Sequence, residues 1–420
     1  MTTNKPQDAS QTTRRSVLQA GALATGALAL NQPLAAAATP RRRGSTKVTV
    51  VLFQHGGADH LNLYAPTGDL SYATLRPTTA IGAPGSSNPV VGRYMDPMFS
   101  MHPVMTGTHQ AFSAHQSDCA IVHAVGYSPF SRSHFASMDL YETALAGVQS
   151  GGWINRHLQA TASLRDVQVR ALALMPSLPM SMTGDYTCYA VSSTAELVST
   201  PNTGKLFLDK IVHGTAIQQM LPEQRATYQA QRDSFALFDT FSVLDPANYT
   251  PANGATYPST HIGHKLRQIA EVIKADLGVE FFGLEHHGWD HHSDLVMRIE
   301  GHATNLDQSV TAFFEDLGQL ADDVILVTMS EFGRTAAENG SGGTDHGVGG
   351  AMMLRGGAVQ GGQVYGNWPG LAPSQLLDGH SLAATTDFRD VLREILDTHM
   401  GGTDPSATFP GHTYQPVGAL

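Results

Sequence analysis

Six short apolar runs, dense in β-branched and aliphatic residues, constrain this chain more than any other feature. They are 47–54 (KVTVVLFQ), 118–126 (DCAIVHAVG), 167–175 (VQVRALALM), 278–288 (GVEFFGLEHHG), 323–333 (DVILVTMSEFG) and 350–357 (GAMMLRGG). Near-continuous apolarity, rather than strict alternation, is the pattern of a strand covered on both faces. Helical spacing falls between them. Phe135, Met138, Tyr141 and Leu145 share one predicted face. Ile262, Leu266, Ile269, Ile273 and Leu277 share a second, with Gly278 placed to stop that helix. Leu306, Val310, Phe313, Leu317 and Leu320 share a third, and 385–400 forms a last amphipathic segment. Strands alternating with helices predict βαβ units: an α/β fold with a mostly parallel central sheet flanked by helices.

The chain has 420 residues, 41% of them hydrophobic and 15% charged, which suits one large α/β domain over 45–420 and excludes wholesale disorder. Residues 176–260 read differently. They are irregular and rich in Pro, Ser and Thr, with helical patches at 205–243, and are expected to form an insertion or cap.

The first 38 residues are read as an export signal rather than as fold. Arg14 and Arg15 precede an apolar Ala/Gly-rich run from Val17 to Leu30, and small residues around Ala35–Ala38 suit cleavage. An uncleaved anchor is the other reading, but the run is short against the ~20 residues of a membrane span. The expected partner is the twin-arginine translocation machinery. The expected location is periplasmic or secreted, with no permanent membrane span. That route folds proteins in a reducing compartment, so Cys119 and Cys188 do not make a disulfide framework. A net charge of −11 argues against general nucleic-acid binding.

In an open parallel sheet, sites form at the carboxyl ends of strands. Four of the six runs end in reactive side chains. His55, Asp59 and His60 follow the first; Ser131, Ser133 and His134 follow the second. His286, His287, Asp290, His291 and His292 follow the fourth, and Glu331, Asp345 and His346 follow the fifth. Carboxylates with imidazoles suit one or two divalent ions (Zn, Mn, Mg or Ca), which can clamp a phosphate or sulfate ester. A serine opening the 133–147 helix would meet the positive end of its dipole, as a nucleophile would require. Each residue also has a plainer use. Ser131 or Ser133 suits an ordinary N-cap, Glu331 could pair with Arg334, and HHGWDHH could be a surface histidine tract. No phosphate-binding P-loop, nucleophile elbow or zincin helix motif is present.

The segments VLFQHGGADHLNLYAPTGD, IVHAVGYSPFSRSHFASMDLYET, GWDHH, VTMSEFGRTAAENGSGGTDHGVGGAMMLRGG and TTDFRDVLREIL carry a likeness. With the twin-arginine start, the chain resembles the domain of unknown function 1501 family, exported proteins related in fold to the alkaline phosphatase and sulfatase superfamily. The resemblance implies an alkaline-phosphatase-like three-layer sandwich and metal-dependent hydrolysis of small anionic esters. It implies a metal role for Asp59, Asp290, His292 and Glu331. The superfamily's Asp-His pair is broken here by Phe332, so Asp345 and His346 are expected to supply the remaining ligands. Ser133, or Ser131, falls near the nucleophile position, with His134 or Arg334 expected to stabilise the oxyanion. The broken pair also admits another reading: a non-catalytic exported protein whose degenerate metal site binds a ligand or an envelope partner.

Overall fold

The computed structural model describes residues 46–146, 151–164, 167, 169–198, 237–402 and 405–420. The expected export signal and the expected helical patches up to residue 236 lie outside the described residues. Ser45–Leu420 forms one compact unit. Its centre is a nine-stranded sheet: β1 (Val48–Gln54), β2 (Cys119–Gly126), β3 (Ala171–Ala173), β4 (Tyr189–Ala190), β5 (Phe281–His286), β6 (Val324–Met329), β7 (Gly350–Gly356), β8 (Val364–Tyr365) and β9 (Thr386–Asp387). The order is β8-β2-β7-β6-β1-β5-β3-β4, with β9 also paired to β2. All six apolar runs form strands. Only β7 runs antiparallel, between β2 and β6. Register is set across the centre by Phe53↔Met329 on one side of β1 and Gln54↔His286 on the other.

Strand alternation sorts the core into two layers. Val48, Val50 and Leu52 of β1 face one side with α3 (His261–Lys274) and α4 (Leu295–Leu317). Val51 and Phe53 face the other with α2 (Trp153–Ala160) and α5 (Phe388–Glu394). Each fully buried Val, Leu, Ile or Phe contributes about 1.5–3 kcal/mol, so these two layers dominate the stability of the sheet. The Thr260 hydroxyl caps α3 by accepting from the Gly263 N–H at 3.3 Å, and the Asp387 carboxylate caps α5 by accepting from the Arg389 N–H at 2.9 Å.

The structure adds detail to three expectations. The predicted face of α1 (His134–Thr143) is only partly covered: Tyr141 is buried and Met138 packs against the core, but Phe135 is 78% exposed. Its first turn lies at the edge of the molecule, and Ala144 ends it in a left-handed conformation. α4 begins at Leu295, ahead of the Leu306–Leu320 stripe, because Leu295 and Ile299 extend the buried face. Finally, the described parts of 176–260 are not set apart from the main fold. Tyr189–Ala190 extends the sheet, and Leu197, Leu237, Phe241 and Leu244 pack into the core layer of α3. Cys119 and Cys188 are both buried free thiols. Among the described residues no helix is long and apolar enough to cross a membrane.

Candidate metal centre

Because β1, β2, β5 and β6 run parallel, their carboxyl ends share one edge of the sheet. The residues beyond β2, β5 and β6 meet there. His134 opens α1, Asp290 and His292 come from the loop after β5, and His346 comes from the loop between β6 and β7. One donor atom each of His134, Asp290 and His346 lies within 4.8 Å of the others. The His292 Nε2 is 3.0 Å from Asp290 Oδ1 and 3.0 Å from the His346 Nε2. The His346 Nε2 is 3.1 Å from Asp290 Oδ1, and the His134 Nε2 is 3.6 Å from Asp290 Oδ2.

The other ring nitrogens are held from outside. The His134 Nδ1 donates to Glu331 Oε1 at 2.8 Å, the His292 Nδ1 to Asp345 Oδ1 at 2.9 Å, and the His346 Nδ1 to the Arg132 carbonyl at 2.8 Å. A carboxylate or carbonyl oxygen only accepts, so each of these nitrogens carries the proton. The Nε2 atoms of all three rings therefore turn toward one carboxylate, with the lone pair of a neutral ring or the second N–H of an imidazolium. Such a set repels itself unless a cation or proton sits among it. For bonds of 2.0–2.1 Å to a tetrahedral ion, ligand atoms stand roughly 3.3 Å apart, close to the separations here. The residues thus fit a divalent ion, with outer acceptors orienting the imidazoles as in known metal sites.

Arg334 lies beneath this group with its side chain fully buried. Its Nε donates to the Gly57 carbonyl at 2.6 Å and its Nη1 to the Thr344 carbonyl at 2.9 Å. Its Nη2 donates to the Gly56 carbonyl and to Asp290 Oδ1, the latter at 2.5 Å. Burial pushes the Asp290 carboxyl up, but the guanidinium, with His346 and His292, outweighs it and holds the group at about 2. Asp290 is therefore ionised throughout the physiological range.

The glycines of the 331–350 segment make the convergence possible. The Thr335 N–H bonds the Asp345 carbonyl at 2.9 Å and the Gly347 N–H bonds the Gly333 carbonyl at 2.8 Å, so the segment folds back on itself. A Cβ on Gly333 would collide with the Gly349 carbonyl, and one on Gly343 with the His292 backbone. Phe332, standing where relatives are expected to carry histidine, packs its ring against His134 and His346 at centroid distances of 5.0 and 4.6 Å.

The ligand assignments made from sequence redistribute accordingly. Asp290, His292 and His346 converge, and His134, expected to stabilise an oxyanion, joins them as a donor. Glu331 is buried, and its oxygens accept from His134, the Gly56 N–H at 2.8 Å and the Ser330 hydroxyl at 3.1 Å, so it orients the His134 ring. Asp345 plays the same part for His292. Asp59 is placed elsewhere: it is fully buried, bonded to the Arg76 guanidinium at 2.9 Å and the Thr344 hydroxyl at 2.9 Å. No sequence signal marked Arg76 or Thr344 as its partners. Arg334 presents no exposed surface to a substrate oxyanion: its side chain is fully buried, and its Nε, Nη1 and Nη2 bond carbonyls and Asp290. Ser133 is exposed beside His134 at the N-cap position of α1, with no side-chain capping bond. Ser131 instead accepts from the Ser133 N–H at 3.1 Å.

The fold and this edge define an α/β protein with a histidine-rich, carboxylate-centred cluster at the carboxyl ends of its parallel strands. The chain belongs to the family described as protein of unknown function (DUF1501), whose model matches residues 46–415. No curated protein matches the sequence. Solved structures similar to it include the C-terminal periplasmic domain of EcEptC from Escherichia coli in complex with Zn, at 9% identity, covering 89% of each chain with a TM-score of 0.36. A sulfatase from Pseudoalteromonas sp. matches at 11% identity over 89% of this chain and 73% of its own, TM-score 0.35. The alkaline phosphatase from the Antarctic bacterium TAB5 matches at 9% identity over 85% and 100%, TM-score 0.31. At these scores the likenesses carry no chemistry over to this chain.

Proposed function

We propose that the protein is an exported metal-dependent hydrolase of phosphate or sulfate esters. The observation that carries this reading is the arrangement of three imidazoles, each with Nδ1 held from outside and Nε2 turned toward Asp290. When bound, a divalent ion supplies Lewis acidity to an ester oxygen and neutralises developing negative charge. His134, Asp290, His292 and His346 would hold it; Glu331, Asp345 and the Arg132 carbonyl fix the rings. Arg334 keeps Asp290 ionised and in place. Ser133 is the nucleophile of this reading, exposed next to His134 and at the start of α1, where the helix dipole favours an anionic oxygen. The twin-arginine pair at Arg14 and Arg15 supports export to the periplasm.

The test is metal content and turnover on one preparation. Protein purified without chelator should carry stoichiometric divalent metal, lost in Asp290→Ala, and should hydrolyse members of an aryl phosphate and sulfate panel. Ser133→Ala should abolish turnover and leave the metal bound. Absence of metal would sink the reading. A second reading, a non-catalytic exported protein binding a ligand or envelope partner, is favoured by one feature: Arg334 already neutralises Asp290 from within. Full metal occupancy with no turnover on any ester would select it.

A further inference from the structure

A second cluster stands on the same sheet edge, and nothing above uses it. β1 and β5 are parallel neighbours in the register Phe53↔Glu285 and Gln54↔His286. One step further along each strand come His55 and His287. Glu285 and His287 are two apart on β5, so pleating sends both to the same face. The result is a triad: the His55 Nε2 lies 3.2 Å from Glu285 Oε1 and the His287 Nε2 3.0 Å from Glu285 Oε2. The donor atoms all lie within 4.8 Å of one another.

We infer that His55, Glu285 and His287 form a second divalent-cation site of the Zn²⁺ class, separate from the centre at Asp290. Three observations carry this. The first is the state of His55. Its Nδ1 is 3.2 Å from the Met138 sulfur, while its buried Nε2 makes no hydrogen bond despite its closeness to the carboxylate. A nitrogen near a carboxylate oxygen but not aligned to donate to it is arranged like one of two ligands to a shared ion. The second is the stacking of the two imidazoles, 4.6 Å between centroids at 18°. The stacked rings bring both Nε2 atoms to the two oxygens of one carboxylate, the approach a shared ion would use. One divalent ion would neutralise the carboxylate and take both imidazoles as ligands.

The third observation is what the triad faces. Glu285 and His287 line a cavity of 550 Å³, together with His261, Arg298, His302 and Asn305. Two imidazoles and one carboxylate leave a coordination position open, the composition of sites that keep a place for water or a ligand. Glu285 and His287 open on this cavity, which also presents the Arg298 guanidinium and so suits an anionic small molecule.

The experiment uses the full chain stripped of metal by chelator and titrated with Zn²⁺ by calorimetry, then with Co²⁺ to read its visible ligand-field bands. His346→Ala removes the Asp290 centre, leaving the second site as the reporter. This variant should still bind one equivalent. Adding His287→Ala or the isosteric Glu285→Gln should weaken that binding by more than the roughly 10–100-fold that loss of an outer-shell partner costs. Near-UV circular dichroism confirms that each variant is folded. Two results overturn the inference: His346→Ala binding no ion, or binding one that His287→Ala and Glu285→Gln leave unchanged. If wild type and His346→Ala bind the same single equivalent and His287→Ala removes it, the second site stands and the Asp290 centre fails.

Discussion

Glu331 accepts the Nδ1 proton of His134 at 2.8 Å and keeps both its oxygens inside the protein. That one bond decides which side of the imidazole can meet a cation. A glutamine at this position would keep one oxygen for His134 and Gly56 but turn an NH₂ toward the Ser330 hydroxyl and lose the charge that polarises the ring. Glu331→Gln is therefore expected to lower Zn²⁺ affinity by roughly 10–100-fold without abolishing binding, whereas Asp290→Ala should remove the ion altogether. Competition against a chelating dye separates the two. Equal losses would mean that Glu331 is itself a ligand.

Asp59 gives the opposite prediction. It and Arg76 form an ion pair with both side chains fully buried. Removing one partner leaves an uncompensated buried charge, so Asp59→Ala should cost about 3–5 kcal/mol in urea unfolding. Its metal content, measured on the fraction that remains folded, should equal that of wild type. Loss of metal at unchanged stability would return Asp59 to the ligand set.

Gly56 has φ +120, and a Cβ there would collide with the Asp290 backbone nitrogen. Gly56→Ala should destabilise by about 1–3 kcal/mol and shift the loop that carries Asp290, weakening metal binding with it. Gly340, on the segment between β6 and β7, has open space around it, so Gly340→Ala is the matched control and should bind metal like wild type. A Gly56→Ala protein with wild-type affinity would show that the loop is not held by this approach.

Burial holds several histidines neutral far below the usual range near 6.5: His60, His157 and His399 to about 4, and His123 to about 3. From pH 6.5 down to about 4 the unfolded chain binds protons that the folded one refuses. The stability these residues contribute is complete above pH 6.5 and falls as pH drops through that window. The expected slope is roughly 1 kcal/mol per pH unit for each histidine. Melting temperatures at pH 7, 6, 5 and 4 should decline progressively, and His399→Gln should flatten the decline. A flat profile would contradict the burial of these rings.

Much of the sheet was legible because uniform burial on both faces leaves an unambiguous mark. Val48 to Gln54 and Val324 to Met329 read as strands and are strands. The strand ends then located the site edge, and Asp290, His292 and His346 met there. What was not legible is the difference between a side chain that binds and one that positions. Glu331 and Asp345 have the chemistry of ligands, and only the fold shows that each also holds the Nδ1 of a neighbouring histidine. The pairing of Asp59 with Arg76 was not legible, because Arg76 lies in a loop with no periodic signal. The exposure of Phe135 was not legible either, because helical spacing does not say how much of a face the core covers. The His55–Glu285–His287 cluster was missed because it depends on the register of β1 against β5, which no single run of sequence contains.

The nitrogens that converge on Asp290 belong to residues 134, 292 and 346, carried by three different strand ends. An ion seated among them would be a removable cross-link, drawing together stretches of chain far apart in sequence. The folded state alone presents that grip, so its occupancy and the integrity of the fold become one equilibrium. At a free concentration a hundred times the dissociation constant, the ion adds about 2.7 kcal/mol. A protein built this way carries a gauge of its surroundings: its resistance to heat would follow the divalent-ion content of the medium, and chelation would be felt first as softening.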